Sequence, residues 1–160
     1  MNKEALVEQF IGTLEAELST ALSAARSAYA TATDSEHHAE HKYDTFSLET
    51  SYLARGQAMR VEELGAAIAG LRGMTLKAFA EAVPVDISAL VEVLVDGQER
   101  RSLLLTPVAG GQTVVTDDGE VMTMTPASPL GQKLMGCVAG DTFVLELGLD
   151  RQTFEVTAVR

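Results

Sequence analysis

The chain has a single cysteine, Cys137, so it can close no internal disulfide. A reducing, cytoplasmic setting is therefore expected. It also lacks any basic excess: 12 Lys and Arg stand against 23 Asp and Glu, a net charge of −11. The deficit is evenly spread, with 11 acids and 6 Lys/Arg in residues 1–75 and 12 and 6 in residues 76–160. With no basic half, sequence-independent binding of bare duplex through clustered cations is excluded. A protein partner that itself carries a basic surface or channel is favoured. Missing too is any apolar run approaching the roughly 18 residues that would span a bilayer, so no membrane partner is expected. At 160 residues and 46% hydrophobic composition, the chain is long enough for one ordinary core plus something elongated.

Residues 3–32 contain no proline and only one glycine, Gly12, and are crowded with Ala, Leu and Glu, which are strong helix formers. Val7, Ile11, Leu14, Leu18, Ala21, Ala25, Ala28 and Ala32 recur at a 4-3-4-3 spacing that makes one continuous seam. The seam shrinks to alanine toward its end, which lets a partner helix come close. Residues 44–72 repeat the pattern more loosely through Leu53, Gln57, Val61, Leu64, Ile68 and Leu71. Asp44 or Thr45 is placed to cap this second helix, and Gly73 to stop it. The two segments predict an antiparallel coiled-coil hairpin over 1–75. Its tip is Thr33 to Tyr43, a polar interval in and around which Asp34, Glu36, Glu40 and Asp44 are concentrated.

After a short connector ending before Pro84, the pattern changes to strands. Ile87–Val95 is rich in β-branched residues, Asp96-Gly97 is a hairpin turn signal, and Glu99–Thr106 completes the pair. Short strands are expected at 113–116 and 120–124, and a final hairpin at 142–147 and 152–159. Ser128-Pro129 opens a short helix, with serine as N-cap and proline at the first helical position. The whole predicts an α+β chain: a helical hairpin, then a small antiparallel β domain with one short helix over 84–160.

The run Thr125-Pro126-Ala127-Ser128-Pro129-Leu130-Gly131-Gln132-Lys133-Leu134-Met135-Gly136, followed by Val138-Ala139-Gly140-Asp141 and a closing Phe154-Glu155-Val156, resembles the C-terminal domain of the bacterial Gre-type (GreA/GreB) transcription elongation factors. Length and domain order agree, so the resemblance covers essentially the whole chain. It implies an FKBP-like C-terminal fold that docks at the rim of the RNA polymerase secondary channel, and a coiled coil that reaches down the channel to the catalytic centre. By that resemblance Ser128, Pro129 and Leu130 lie in the docking segment. As plain local structure, Ser-Pro at a helix start needs no partner.

Cleavage-stimulating members of that family offer an Asp and a Glu to a metal ion in the polymerase site, where two metals activate water against backtracked RNA. Magnesium takes oxygen ligands, so the resemblance implies Mg²⁺ shared with the polymerase and no cofactor of the chain's own. The candidates here are Asp34, Glu36, Glu40 and Asp44. Their spacing departs from the family's Asp-x-x-Glu running into Asn-x-Glu-Tyr: Asp34-Ser35-Glu36 lies earlier, and Asp44 and Glu49 flank the approach to Tyr52. This fits a secondary-channel binder that inhibits or modulates without stimulating cleavage, like the nucleoside-diphosphate-kinase-regulator relatives. As a bare charge run the tip would be only a solvated loop. The basic stripe that some relatives carry along the coiled coil is thin here, with Arg26, Lys42, Arg55 and Arg60 its only members.

His37-His38-Ala39-Glu40-His41 matches the H-x-x-E-H pattern of zinc peptidases, with His37 and His41 one helical turn apart. A peptidase needs a third ligand and a substrate cleft, which a two-helix stalk does not offer. The pair is better read as a weak metal site, since imidazoles at this spacing chelate. Cys137 reads as a packed thiol. Taken together, the chain is expected to regulate transcription elongation by binding RNA polymerase, touching DNA or RNA only within that complex, and to perform no complete reaction itself.

Overall fold

The computed structural model describes residues 2–36, 44–80 and 82–160. Two long helices, α1 (Lys3–Glu36) and α2 (Asp44–Arg72), form an N-terminal helical hairpin. Six strands and one short helix follow: β1 (Leu90–Val95), β2 (Glu99–Leu105), β3 (Thr113–Thr116), β4 (Gly119–Met124), α3 (Pro129–Leu134), β5 (Thr142–Leu147) and β6 (Asp150–Val159). The chain divides into two compact units, Ile11–Ala69 and the combination of Met1–Phe10 with Gly70–Arg160.

Within the helical unit, Ile11, Leu14, Ala21 and Ala28 of α1 and Leu64 and Ile68 of α2 are buried. The helices run antiparallel, and the Arg60 guanidinium donates to the Glu17 carboxylate across them at 2.9 Å. One seam position differs from the sequence expectation. Leu53 is 57% exposed, and Ala54 is the half-buried residue beside it. Counting from Ala54, the seam Gln57, Val61, Leu64, Ile68, Leu71 has a 3-4-3-4-3 spacing. Two successive steps of four would rotate the seam by about 80° on a helix of 3.6 residues per turn, so the alternating register wins over the larger side chain.

The six strands form one sheet in the order β3-β4-β2-β1-β6-β5. Asp96 (φ 50°) and Gly97 (φ 70°) both adopt the left-handed conformation that the tight β1–β2 turn requires. The pairings are antiparallel except β2 with β4, which run parallel with Leu103 opposite Met122 and Leu105 opposite Met124. The small antiparallel domain with one short helix is thus as expected, with this one parallel pair as an addition. The chain leaves β2, forms β3 beyond the place β4 will take, and returns through a tight turn, so β4 enters beside β2 in the same direction.

One face of the sheet packs against α3. Val91, Val93, Leu103, Leu105 and Val156 are buried there with Leu134 of the helix, and the Phe143 and Phe154 rings stack at 5.4 Å. Each such side chain contributes about 1.5–3 kcal/mol by leaving water. On the other face Leu90, Leu104 and Val121 are equally buried, as are Leu6, Val7, Phe10 and Leu71 of the same unit. The first turn of α1 is held to this unit by its own polar contacts. Asn2 Oδ1 accepts from the Glu4 and Ala5 amides (2.9 and 3.3 Å) and so caps the helix. The Lys3 ammonium donates to the carbonyls of Lys77 and Ser88 and lies 4.8 Å from the Phe79 ring centroid. Gly70 leaves no room for a larger residue, since a Cβ there would stand 2.4 Å from Val108 Cγ2.

Candidate functional site

The segment singled out by sequence, Ser128 to Leu130, forms the start of α3. Ser128 (φ −73°, ψ 152°) is extended, and its hydroxyl accepts from the Gly131 amide at 3.0 Å. The same hydroxyl lies 2.8 Å from both the Thr125 carbonyl and the Met124 sulfur. Ser128 is thus occupied as a helix cap and is half-buried. Pro129, at the first helical position, is exposed. Leu130 is half-buried, and its inner side packs on the core.

Leu130 is also one wall of a groove of about 480 Å³ on the α3 face of the sheet. The register explains the groove. Alternate residues of a strand share a face, and the parallel β2–β4 pairing sets Leu103 beside Met122 and Leu105 beside Met124. Leu103, Met122 and Met124 make an apolar floor with Leu130. Glu99 and Arg101 of β2 and Glu120 of β4 form the rim. Arg101 donates to Glu99 through Nε (2.6 Å) and Nη2 (2.9 Å). That hydrogen bond holds the Glu99 carboxyl below its ordinary value and raises the Arg101 guanidinium. Both side chains are well exposed, so the pair orients the rim and adds little stability. Two methionines give the floor an adaptable surface of the kind that accepts helices or irregular apolar side chains.

The tip candidates are placed only in outline. Asp34 and Glu36 fall in the last turn of α1, and Asp44 opens α2. The side chains of these three, and Glu40, His37 and His41 altogether, lie outside the described residues, as does Lys42. Of the stripe cations, Arg60 is engaged by Glu17 (2.9 Å) and Glu63 (3.6 Å), while Arg26 and Arg55 are exposed on their helices. No group of three or more metal-ligating side chains occurs among the described residues. Among them, too, no helix is long and apolar enough to cross a membrane. Cys137 packs against the core and donates its thiol to the Lys133 carbonyl (3.0 Å). Burial, and then the Asp141 carboxylate, push that thiol up, which leaves it a poor nucleophile at neutral pH.

Sequence reasoning reached Leu130 and missed the rest of the groove, Arg101, Met122 and Met124. Alternation in β4 was the available signal, since Met122 and Met124 point the same way. Only the non-local β2–β4 register places Leu103 between them and the α3 wall.

The fold and groove define a two-part chain, a long helical hairpin followed by a small sheet domain with an apolar-floored groove beside its short helix. No known family's profile matches the chain, and no curated relative does. Among solved structures it is similar to the transcription factor Gfh1 (20% identity over 94% of this chain and 92% of that one, TM-score 0.41). It is likewise similar to the GreA factor homolog Gfh1 of Thermus thermophilus (18%, 94% and 94%, TM-score 0.38), and to a GreA/GreB elongation factor from Nitrosomonas europaea (21%, 60% and 78%, TM-score 0.35).

Proposed function

We propose that this chain is a divergent Gre-type factor that binds RNA polymerase and regulates elongation, with the hairpin at 1–75 and the sheet domain at 84–160 as its two working parts. The observation that carries the reading is the start of α3. The Ser-Pro-Leu-Gly run that resembles the family's docking segment flanks an apolar groove, with Pro129 exposed beside it and Leu130 in its wall. Docking by this groove would leave the hairpin free to present Asp34, Glu36, Glu40 and Asp44 to the polymerase's catalytic centre, where any Mg²⁺ involved belongs to the polymerase. The chain then modulates an activity that is not its own, as a cytoplasmic protein. Its diffuse acid spacing favours occlusion or modulation over cleavage stimulation.

The test is co-sedimentation of the full chain with core RNA polymerase. Leu130→Asp puts a charge into the apolar wall and is expected to weaken binding at least about tenfold, because a buried unpaired carboxylate costs several kcal/mol. Because Leu130 also packs on the core, the variant should melt lower than wild type while keeping its circular dichroism spectrum at the assay temperature. Ser128→Ala is a poor probe, since it removes a cap worth about 1 kcal/mol as well. Undiminished binding by the Leu130 variant would remove the groove from the docking surface.

A further inference from the structure

We propose that strand β5 is a self-association edge, pairing antiparallel with β5 of a second copy of this chain about a two-fold axis at Val144. The sheet ends at β5. Its register with β6 runs without a bulge from Thr142 opposite Glu155 to Leu147 opposite Asp150. The Val156 amide donates to the Asp141 carbonyl, while the Thr153 carbonyl accepts from Asp96 on the opposite side. Val156, Phe154 and Gln152 therefore turn their main chain toward β5, and Phe143 and Leu145 turn theirs toward β6. The amides and carbonyls of Thr142, Val144 and Glu146 point outward, away from the sheet.

Natural edges of this kind are blunted by lysine, proline or a bulge. Thr142-Phe143-Val144-Leu145-Glu146-Leu147 has none of these and only one charge. The opposite edge, β3, is shorter, has four residues, and runs into the Asp117-Asp118 turn.

What selects a second copy is the strand's own complementarity. Centred on Val144, the pairing sets Val144 against its counterpart and each Glu146 carboxylate against a Thr142 hydroxyl. It sets half-exposed Phe143 against Leu145, so the apolar layer under α3 continues from one copy into the next. All three outward residues of each strand are used, giving about six main-chain hydrogen bonds. A register centred on Glu146 would oppose like charges directly, which is unfavourable. The same axis brings Leu149, whose side chain is fully exposed in the β5–β6 turn, level with Ala139 and Gly140 of the second copy. The net charge of −11 per chain opposes association at long range, so added salt should strengthen it.

Sedimentation equilibrium of the full chain decides the matter. A monomer–dimer equilibrium is expected, with the dimer favoured at high salt. Val144→Pro removes an amide that faces away from β6, a change edge strands tolerate, and should weaken dimerisation at least about tenfold. Val144→Lys keeps the strand intact and opposes two ammonium groups across the axis, and should do the same, so the result does not rest on the proline variant folding. A wild-type chain that stays monomeric at both salt concentrations, or a dimer that persists in Val144→Lys, would overturn the proposal.

Discussion

Gly131→Ala is expected to destabilise the chain by about 3 kcal/mol or more, near the upper end of what overpacking produces. A Cβ at this position would stand 2.0 Å from the Thr125 carbonyl oxygen and 2.8 Å from Ser128 Oγ. Neither obstacle is the free end of a flexible side chain. The Thr125 carbonyl accepts from the Ser128 amide (3.1 Å) and hydroxyl (2.8 Å), and the Ser128 hydroxyl in turn caps α3. Any shift that admits the methyl group therefore breaks the cap and carries Leu134, fully buried beneath the helix, out of register. At roughly 2–4 °C per kcal/mol for a chain of this size, the thermal midpoint should fall by about 6–12 °C. Ser128→Ala, which loses the cap but introduces no clash, should cost about 1 kcal/mol. Urea denaturation of the two variants separates these values, and a Gly131→Ala chain within 1 kcal/mol of wild type, a bound of roughly the cap's own worth, would show that the Thr125 turn yields easily.

Neutralising the tip acids is expected to change what the polymerase does without changing whether the factor binds. Carboxylates that supply a catalytic metal act only in the assembled site, whereas the docking proposed above uses the sheet domain. Two variants are informative, one with Asp34→Asn and Glu36→Gln, the other with Glu40→Gln and Asp44→Asn. On stalled elongation complexes with Mg²⁺ present, the wild type should stimulate transcript cleavage weakly or not at all and should slow nucleotide addition. The variants should relieve that inhibition while co-sedimenting as before. Robust shortening of backtracked RNA by wild type, lost in either variant, would instead show metal delivery despite the unusual spacing.

Local features were the legible ones. Asp96-Gly97 announced its hairpin because two consecutive left-handed residues are acceptable there to few others. Ser128-Pro129 announced α3 because each fills a position that helix starts favour. Leu53 misled because a large apolar side chain outweighed the phase of the seam, which the exposed position and half-buried Ala54 restore. The parallel neighbour of β2 was invisible, since nothing in residues 99–105 or 119–124 records that β3 is laid down beyond β4. The groove was hidden for the same reason: its floor comes from two strands and a helix joined only by that register. The need for glycine at position 131 was not legible either, since its reason, the approach of the Thr125 carbonyl, lies six residues back in the chain and in no propensity.

The most direct measurement of the central claim exchanges the catalytic Mg²⁺ of RNA polymerase for Fe²⁺ and generates hydroxyl radicals there with the full chain bound. Cutting of this chain should be confined to residues 33–45, in and around the interval between the two long helices. A chain that co-sediments with the polymerase but is left uncut, or is cut only within residues 84–160, would contradict the reading that the hairpin enters the channel.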